Sequence, residues 1–256
     1  MLLEDKVIVI SGVGPGMGQS LARIAAREGA KVAIGARNQA FLDRVADDII
    51  ADGGAVVARS TDVTDAGQCA ALAQAALDAF GRIDGLVNSA YIHGNWTTVD
   101  QADPADWLKV IDVNCLGALR MAQAVFPVMK AQGGGAIINV STMSTVNPFP
   151  GEGGYASGKG ALNVLTRHMA KDFGPHGIRV NATRMGWIGG KPVYDWIDRE
   201  VAAGRNRDEV AGEITARIPL GIIPPEEDCA KAVLSDYAKV VSGASLDVNG
   251  GQYMAP

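Results

Sequence analysis

Cysteine is scarce. The 256-residue chain has three, Cys69, Cys115 and Cys229, widely spaced and with no CxxC among them. Neither a disulfide framework nor a zinc site is indicated, so no metal is expected, and the thiols read as small buried side chains in a reducing cytoplasm. No apolar stretch approaches the ~20 residues of a membrane span. Basic runs are missing too. Lys and Arg total 23 against 28 Asp and Glu, a net charge of -5, which makes nucleic acid and an anionic membrane poor partners. The opening MLLEDKVIVISG lacks the basic start, apolar middle and small-residue cleavage site of a signal peptide, so a cytoplasmic location is expected. Internal repeats, low-complexity tracts and long linkers are absent as well. What is present is 48% hydrophobic and 20% charged residues, the balance of a globule with a large core rather than of a disordered chain.

Strand-length apolar runs recur at Val7–Ile10, Lys31–Ala36, Ala55–Ser60, Gly85–Asn88, Ala136–Val140, Ile178–Ala182 and Ala244–Val248. Segments with helical spacing lie between most of them: Met17–Glu28, Gln39–Ala51, Ala66–Phe80, Trp107–Lys130 and Tyr155–Phe173. Continuous Val/Ile runs predict strands buried on both faces, and the alternation predicts a parallel sheet with crossover helices. The expectation is one α/β domain over 1–256, a Rossmann-type doubly wound sheet of about seven strands with helices on both faces. Two stretches break the rhythm, Tyr91–Pro104 and Met185–Pro225. Both leave carboxyl ends of strands, where open parallel sheets bind ligands, and the second is expected to form a substrate lid at about 187–225.

The first strand runs into Ser11-Gly12-Val13-Gly14-Pro15-Gly16-Met17-Gly18, and a helix follows at once. Glycines let the backbone approach a pyrophosphate, and the helix start offers free N–H groups to it. The spacing is neither G-x-G-x-x-G nor a P-loop, so strand–loop–helix context carries the dinucleotide reading. The second strand ends in Gly35-Ala36-Arg37-Asn38. No carboxylate is offered there to the ribose hydroxyls of NAD, whereas Arg37 suits a 2′-phosphate. NADP(H) is favoured, with NAD as the other cofactor and a merely solvated arginine as the other reading. Farther along, Tyr155-Ala156-Ser157-Gly158-Lys159 places a tyrosine and a lysine on one helix face, about 6 Å apart. A nearby ammonium lowers a phenol pKa, so the pair can exchange a proton with an alcohol or a carbonyl.

Together these features resemble the short-chain dehydrogenase/reductase family, over essentially the whole chain. Ser11–Gly18 is similar to the family's TGxxxGIG loop, and Asp62-Val63 to the pair that contacts adenine. Asn88-Ser89-Ala90-Tyr91 stands where the family has NNAG, and Asn114 matches its helix asparagine. Ile137–Thr142 matches the strand ending in the catalytic serine, and Tyr155 and Lys159 match YxxxK. Arg179–Ala182 and Asp247–Gly251 match two later landmarks. The resemblance implies that Tyr155 donates and accepts the proton. It implies that Lys159 binds the nicotinamide ribose, and that Asn114 holds a water linking Lys159 to solvent. Ser11, Gly12, Gly16, Met17, Gly18, Arg37, Asp62, Val63, Asn88, Ala90 and Ile188 become cofactor-binding candidates beside Tyr155 and Lys159. A small-molecule alcohol or ketone substrate and a homodimer or homotetramer are implied as well.

Departures from the family pattern shape the substrate side. Thr142 stands 13 residues before Tyr155, the usual place of the serine; its added methyl restricts χ1, and Ser141 and Ser144 are the substitutes. Gly158 replaces a serine, and Tyr91 replaces a glycine and is expected to narrow the site. His93 reads as a surface-loop residue more readily than as a substrate contact, and His168 and His176 as ordinary surface or helix residues. Gly190 stands where a threonine usually contacts the nicotinamide amide. Trp187, Tyr194, Trp196 and Ile197 either line the site or form the lid's own core; if they line it, the substrate is apolar and ring-sized. Arg184 and Lys191 keep an anionic substrate open. The helix Glu226–Leu234 runs into Ser235-Asp236 about three residues early, nearly one turn. These features predict an NADP(H)-linked secondary alcohol dehydrogenase or ketoreductase acting on a hydrophobic cyclic or aromatic molecule. Its rivals are a cofactor-binding regulator that does not react, an NAD-dependent member, and a dehydration or imine reduction on the same fold.

Overall fold

The sheet is laid down by short apolar strands that match the predicted runs closely. The computed structural model describes residues 1–234 and 240–253, with side chains omitted at 231–234. The early helix end expected at Ser235-Asp236 lies outside the described residues. In chain order the elements are β1 Val7–Ser11, α1 Met17–Arg27, β2 Lys31–Ala36, α2 Gln39–Ala51, β3 Ala55–Ser60, α3 Ala66–Phe80, β4 Gly85–Asn88 and α4 Pro104–Ile111. They continue with α5 Gly117–Gln132, β5 Gly135–Thr142, α6 Gly153–Phe173, β6 Ile178–Met185, α7 Lys191–Ala202, α8 Arg207–Thr215, α9 Glu226–Leu234 and β7 Ser245–Val248. The seven strands are parallel in the order β3-β2-β1-β4-β5-β6-β7.

Strand order reverses between β1 and β4, so the crossovers on either side leave a crevice at their carboxyl ends. Register puts Ser11 beside Gly35 and Asn88, and Asn88 beside Asn139. Two cores cover the faces. Leu21, Ile24, Leu42 and Ile49 from α1 and α2 pack under one face; Leu72, Met121, Val125 and Met169 from α3, α5 and α6 pack under the other. Cys69, Cys115 and Cys229 are buried and free. Burial pushes the Cys69 and Cys229 thiols up to about 11, which keeps them inert.

One predicted helix is corrected. The segment read as Trp107–Lys130 starts earlier and is broken. Asp103 caps α4 by accepting from Ala105 N at 2.9 Å, with Pro104 in the first turn, a start the sequence signals. A π turn over Asp112–Leu116 then divides α4 from α5, with Gly117 N bonding to Asp112 O. The segment expected to form a lid is folded: α7 and α8 enclose a small core of Ile197, Val210, Ile214 and Ile218. Its two ends meet where Gly189 pairs with Pro225, with Gly189 N donating to Pro224 O at 2.8 Å.

Candidate active site

The carboxyl ends of β1, β2 and β4 open onto a cleft of about 1000 Å3. Gly12 leaves β1 with φ of +81°, and a Cβ there would run into the Ala90 backbone. A Cβ at Gly18 would overlap the Gly12 carbonyl, so the loop closes only with glycine at both places. α1 starts after Gly16 with no side-chain cap. Its first N–H groups are therefore left for an anion, at the positive end of the helix dipole. Gly12, Gly16, Met17 and Gly18 line this part of the cleft. The glycine cradle and the uncapped helix fit a dinucleotide pyrophosphate.

At the outer end Arg37 lines the cleft together with Arg44, a second cation that the sequence reading did not single out. The Arg44 guanidinium lies 5.3 Å from the centre of the Phe41 ring. Asp62 and Val63 lie beside them. Hydrogen bonds from Thr64 N at 2.9 Å and Thr64 Oγ1 at 2.8 Å hold the Asp62 carboxyl below the usual range, with Arg37 adding to the effect. Ala90 and Ile188 line the cleft farther in. Ser11 and Asn88 do not. They are buried behind it, where Ser11 Oγ donates to Asn88 Oδ1 at 3.2 Å and Asn88 Nδ2 donates to Asn139 Oδ1 at 2.9 Å. Asn139 Nδ2 in turn donates to Thr166 Oγ1 at 2.9 Å. This buried chain ties β1, β4 and β5 to α6 and leaves both side chains as supports of the cleft.

Tyr155 and Lys159 occupy one face of α6, and both line the inner cleft. Lys159 is 2% exposed and its Nζ donates to Val140 O at 2.7 Å. Burial pushes its ammonium down to about 7. Burial also pushes the Tyr155 phenol upward; the Tyr91 and Glu152 charges add to this, and a hydrogen bond with Thr142 opposes it. Of the three hydroxyls considered, Thr142 is the one at Tyr155. Ser144 lies next to it, while the Ser141 hydroxyl is buried without a partner on the cofactor side, as strand alternation requires. Asn114 sits in the π turn, 1% exposed, and its amide clamps the Ile92 backbone: Oδ1 accepts from Ile92 N at 2.8 Å and Nδ2 donates to Ile92 O at 2.9 Å. The clamp holds the neighbouring Tyr91, whose ring centre lies 5.9 Å from Lys159 Nζ.

A second cavity of about 1130 Å3 opens beyond Tyr155 and Thr142, which line both spaces. His93 belongs to it and is not a surface-loop histidine. Its ring lies 4.4 Å from that of Tyr155 and 5.2 Å from that of Trp96, and Nδ1 is buried without a partner. Burial and the Lys159 charge hold its pKa down. Its position two residues beyond Tyr91 was the only sequence signal for it. The residues of the segment after β6 divide: Trp187 and Trp196 line the cavity with ring centres 5.4 Å apart, while Ile197 belongs to the segment's own core and Tyr194 does not line the cavity. Arg184 is taken by Asp247 at 2.9 Å, and Lys191 pairs with Asp195 at 2.7 Å on the rim. At Gly190 the space of a side chain is filled by the Glu226 carboxylate from α9, which accepts from Ser20 Oγ at 2.7 Å.

A doubly wound sheet, a glycine cradle at its switch point and a tyrosine–lysine pair facing a second cavity define a dinucleotide-dependent oxidoreductase. The short chain dehydrogenase family profile matches residues 6–194, and the chain belongs to that family as an NAD(P)-dependent enzyme. It is 35% identical to 2-(S)-hydroxypropyl-CoM dehydrogenase 3 of Xanthobacter autotrophicus, over 97% of each chain. It is 36% identical to L-rhamnose 1-dehydrogenase (NAD(P)(+)) of Azotobacter vinelandii, over 99% of each. A short-chain type dehydrogenase/reductase from Mycobacterium ulcerans superposes with a TM-score of 0.89 at 27% identity, covering 98% of this chain and 91% of that one.

Proposed function

We propose that the chain uses NADP(H) to interconvert a secondary alcohol and its ketone, on a substrate built around a hydrophobic ring. The observation that carries this reading is Tyr155, which borders both cavities with Lys159 one turn onward and the Thr142 hydroxyl bonded to its own. When bound, the nicotinamide gives or takes the hydride. Gly12, Gly16 and Gly18 hold the pyrophosphate, Asp62 and Val63 the adenine, Arg37 with Arg44 the 2′-phosphate, and Lys159 the nicotinamide ribose. Tyr155 gives its proton to the carbonyl oxygen in reduction and takes one from the alcohol in oxidation. Because burial raises its pKa, phenolate formation leans on the ammonium of Lys159. Asn114 keeps one amide N–H for a water between Lys159 and solvent, the relay that the family resemblance implies.

The ring preference is supported by two aromatic walls, Tyr91, His93 and Trp96 on one side and Phe149, Trp187 and Trp196 on the other. The pairing of Arg184 with Asp247 removes one cation that an anionic substrate could use. A single catalytic domain over 1–256, with the lid at about 187–225, fits a sheet that runs unbroken from β3 to β7. A homodimer or homotetramer is supported by the exposed apolar side chains of Leu108, Leu116 and Val164. No helix among the described residues is long and apolar enough to cross a membrane.

Two measurements test the reading. Initial rates on a panel of secondary alcohols are expected to show NADP⁺ reduction, fastest with apolar cyclic members; turnover confined to small acyclic or polyol substrates would remove the ring preference. NADPH is expected to bind roughly 10–100-fold tighter than NADH, the worth of one or two charge-assisted bonds to the phosphate. Arg37→Ala should erase most of that difference by weakening NADPH alone. NAD is the second cofactor to assay, since the Azotobacter vinelandii relative carries both in its name. Equal dissociation constants in the wild type would overturn the NADP(H) assignment.

A further inference from the structure

The proton path through Tyr155, Lys159 and Asn114 leaves His93 unused. Its imidazole is nevertheless held from three sides. The ring centre lies 4.4 Å from that of Tyr155, 5.2 Å from that of Trp96 and 5.3 Å from that of Tyr91. The residue before it, Ile92, has both backbone polar groups bonded to the Asn114 amide. The ring is thus oriented before any substrate arrives. Its two nitrogens have different surroundings. Nδ1 is buried and has no hydrogen-bond partner. The side chain as a whole is only half-buried, and it lines the second cavity and not the cofactor cleft. Nε2 is not among the enclosed atoms, and no group of the described residues takes a hydrogen from it.

Burial and the Lys159 charge keep the imidazole neutral at pH 7, so it carries one N–H and one lone pair. A buried N–H without an acceptor bears the full cost of leaving water and is rare. The proton therefore rests on Nε2, where the ring reaches the cavity. We propose that His93 is a specificity-determining residue whose Nε2–H donates to a second oxygen of the substrate, so that the preferred substrates are cyclic ketones or alcohols carrying a neutral acceptor oxygen near the reacting carbon. The inference rests on the reading of Tyr155 as the group that exchanges a proton with substrate and of the cavity as a site for a ring. The His93 ring lies against that of Tyr155, so one ring-sized molecule can meet the phenol oxygen and the imidazole N–H together. A neutral donor recognises a carbonyl, hydroxyl or ether oxygen and offers no charge to a carboxylate. The aromatic enclosure fixes the donor in advance, so little side-chain freedom is lost on binding. A ring without the second oxygen leaves the N–H desolvated and unpaired, which is the source of discrimination.

The test uses cyclohexanones that carry a methoxy group at carbon 2, 3 or 4, each paired with the ethyl ketone of the same size. With NADPH, at least one methoxy ketone is expected to exceed its ethyl partner by about tenfold in kcat/KM, the worth of one bond from a donor that is otherwise left unpaired. His93→Phe keeps an aromatic ring without the donor and should bring that ratio close to one. His93→Gln places an amide N–H near the position of Nε2 and should keep a ratio of several fold, whereas His93→Asn reaches only to Nδ1 and should lose it. NADPH titration checks that each variant is folded, and a general loss of packing would lower both members of a pair without moving their ratio. A wild-type ratio near one at all three positions, a ratio that survives His93→Phe, or retention by Asn and not by Gln would each overturn the proposal. Tyr155→Phe separates the levels: if it stays active the Tyr155 reading fails, whereas an inactive Tyr155→Phe beside wild-type ratios near one removes the His93 inference alone. Silence of the wild type on every ketone removes the ring reading and this inference with it.

Discussion

Tyr155→Phe is expected to lower turnover by about 10²–10⁴-fold in both directions, the contribution of a well-placed acid–base group. The substitution removes one oxygen and leaves the ring that His93 stacks on. The glycine cradle, Arg37 and Lys159 are untouched, so the dissociation constant for NADPH should move by no more than about threefold, under 1 kcal/mol. The folded state loses the bond with Thr142, worth roughly 0.5–1.5 kcal/mol, which a thermal unfolding scan will show as a small shift. Initial rates with the best alcohol of the panel, beside a fluorescence titration of the cofactor, decide the matter. A variant that keeps a tenth or more of wild-type turnover (about 1.4 kcal/mol) would mean that another group carries the proton. His93, with its unpartnered Nδ1 against the tyrosine ring, is the next candidate.

Lys159→Met should separate catalysis from stability, because the lysine serves one and opposes the other. Its ammonium is buried and held at about 7, against an ordinary value of 10.5. Between those values the unfolded chain carries a proton that the folded chain lacks, so stability rises with pH across that window. Below about 7 both states are protonated and the full burden of the buried charge remains. Above 10.5 neither is, and the burden is gone. In Lys159→Met this rise is absent, and the variant should melt above the wild type at about pH 6 and close to it at about pH 10. Turnover at about pH 6, where the folded lysine is charged, should nevertheless fall by about 10²-fold or more, since the phenolate of Tyr155 loses its nearby cation. Melting curves at the two pH values and rates at one of them suffice. A variant that melts lower at acid pH would show that the bond to Val140 O outweighs the buried charge.

The parts of the molecule legible in the sequence are those set by neighbours along the chain. β2, β3 and β4 fall within the predicted bounds because apolar β-branched runs flanked by glycine have few alternatives. The cleft was equally legible at Gly12 and Gly18, where backbone meets backbone. What escaped is set by contacts between distant segments. The π turn at Asn114 depends on Ile92, 22 residues earlier, and nothing in Asp112–Leu116 announces it. Ser11 and Asn88 carry the residue types of cofactor contacts, yet their polar atoms are spent on each other and on Asn139. His93 looked exposed because its loop is polar, but Tyr155 and Trp96 enclose it. Gly190 read as a lost contact, and the carboxylate filling its space comes from 36 residues onward. Glu152 was not read from the sequence, since Ser144 meets it only once the strand end turns back.

The pairing of Gly189 with Pro225 makes the segment between them a closed flap on a narrow neck. Everything between them enters and leaves the sheet at one point, and the flap carries its own small core. Lengthening such a segment costs little, about 0.6 kcal/mol for each doubling of a flexible loop, and the strands below register none of it. Substitutions and insertions around α8 can therefore reshape the part of the wall formed by Ile214 and Arg217, whereas changes at Lys191, Pro192 or Val193 also touch the cofactor cleft. The far end of the flap is thus the part of the cavity wall most open to change, while Tyr91, His93 and Trp96 hold the opposite wall on a separate segment.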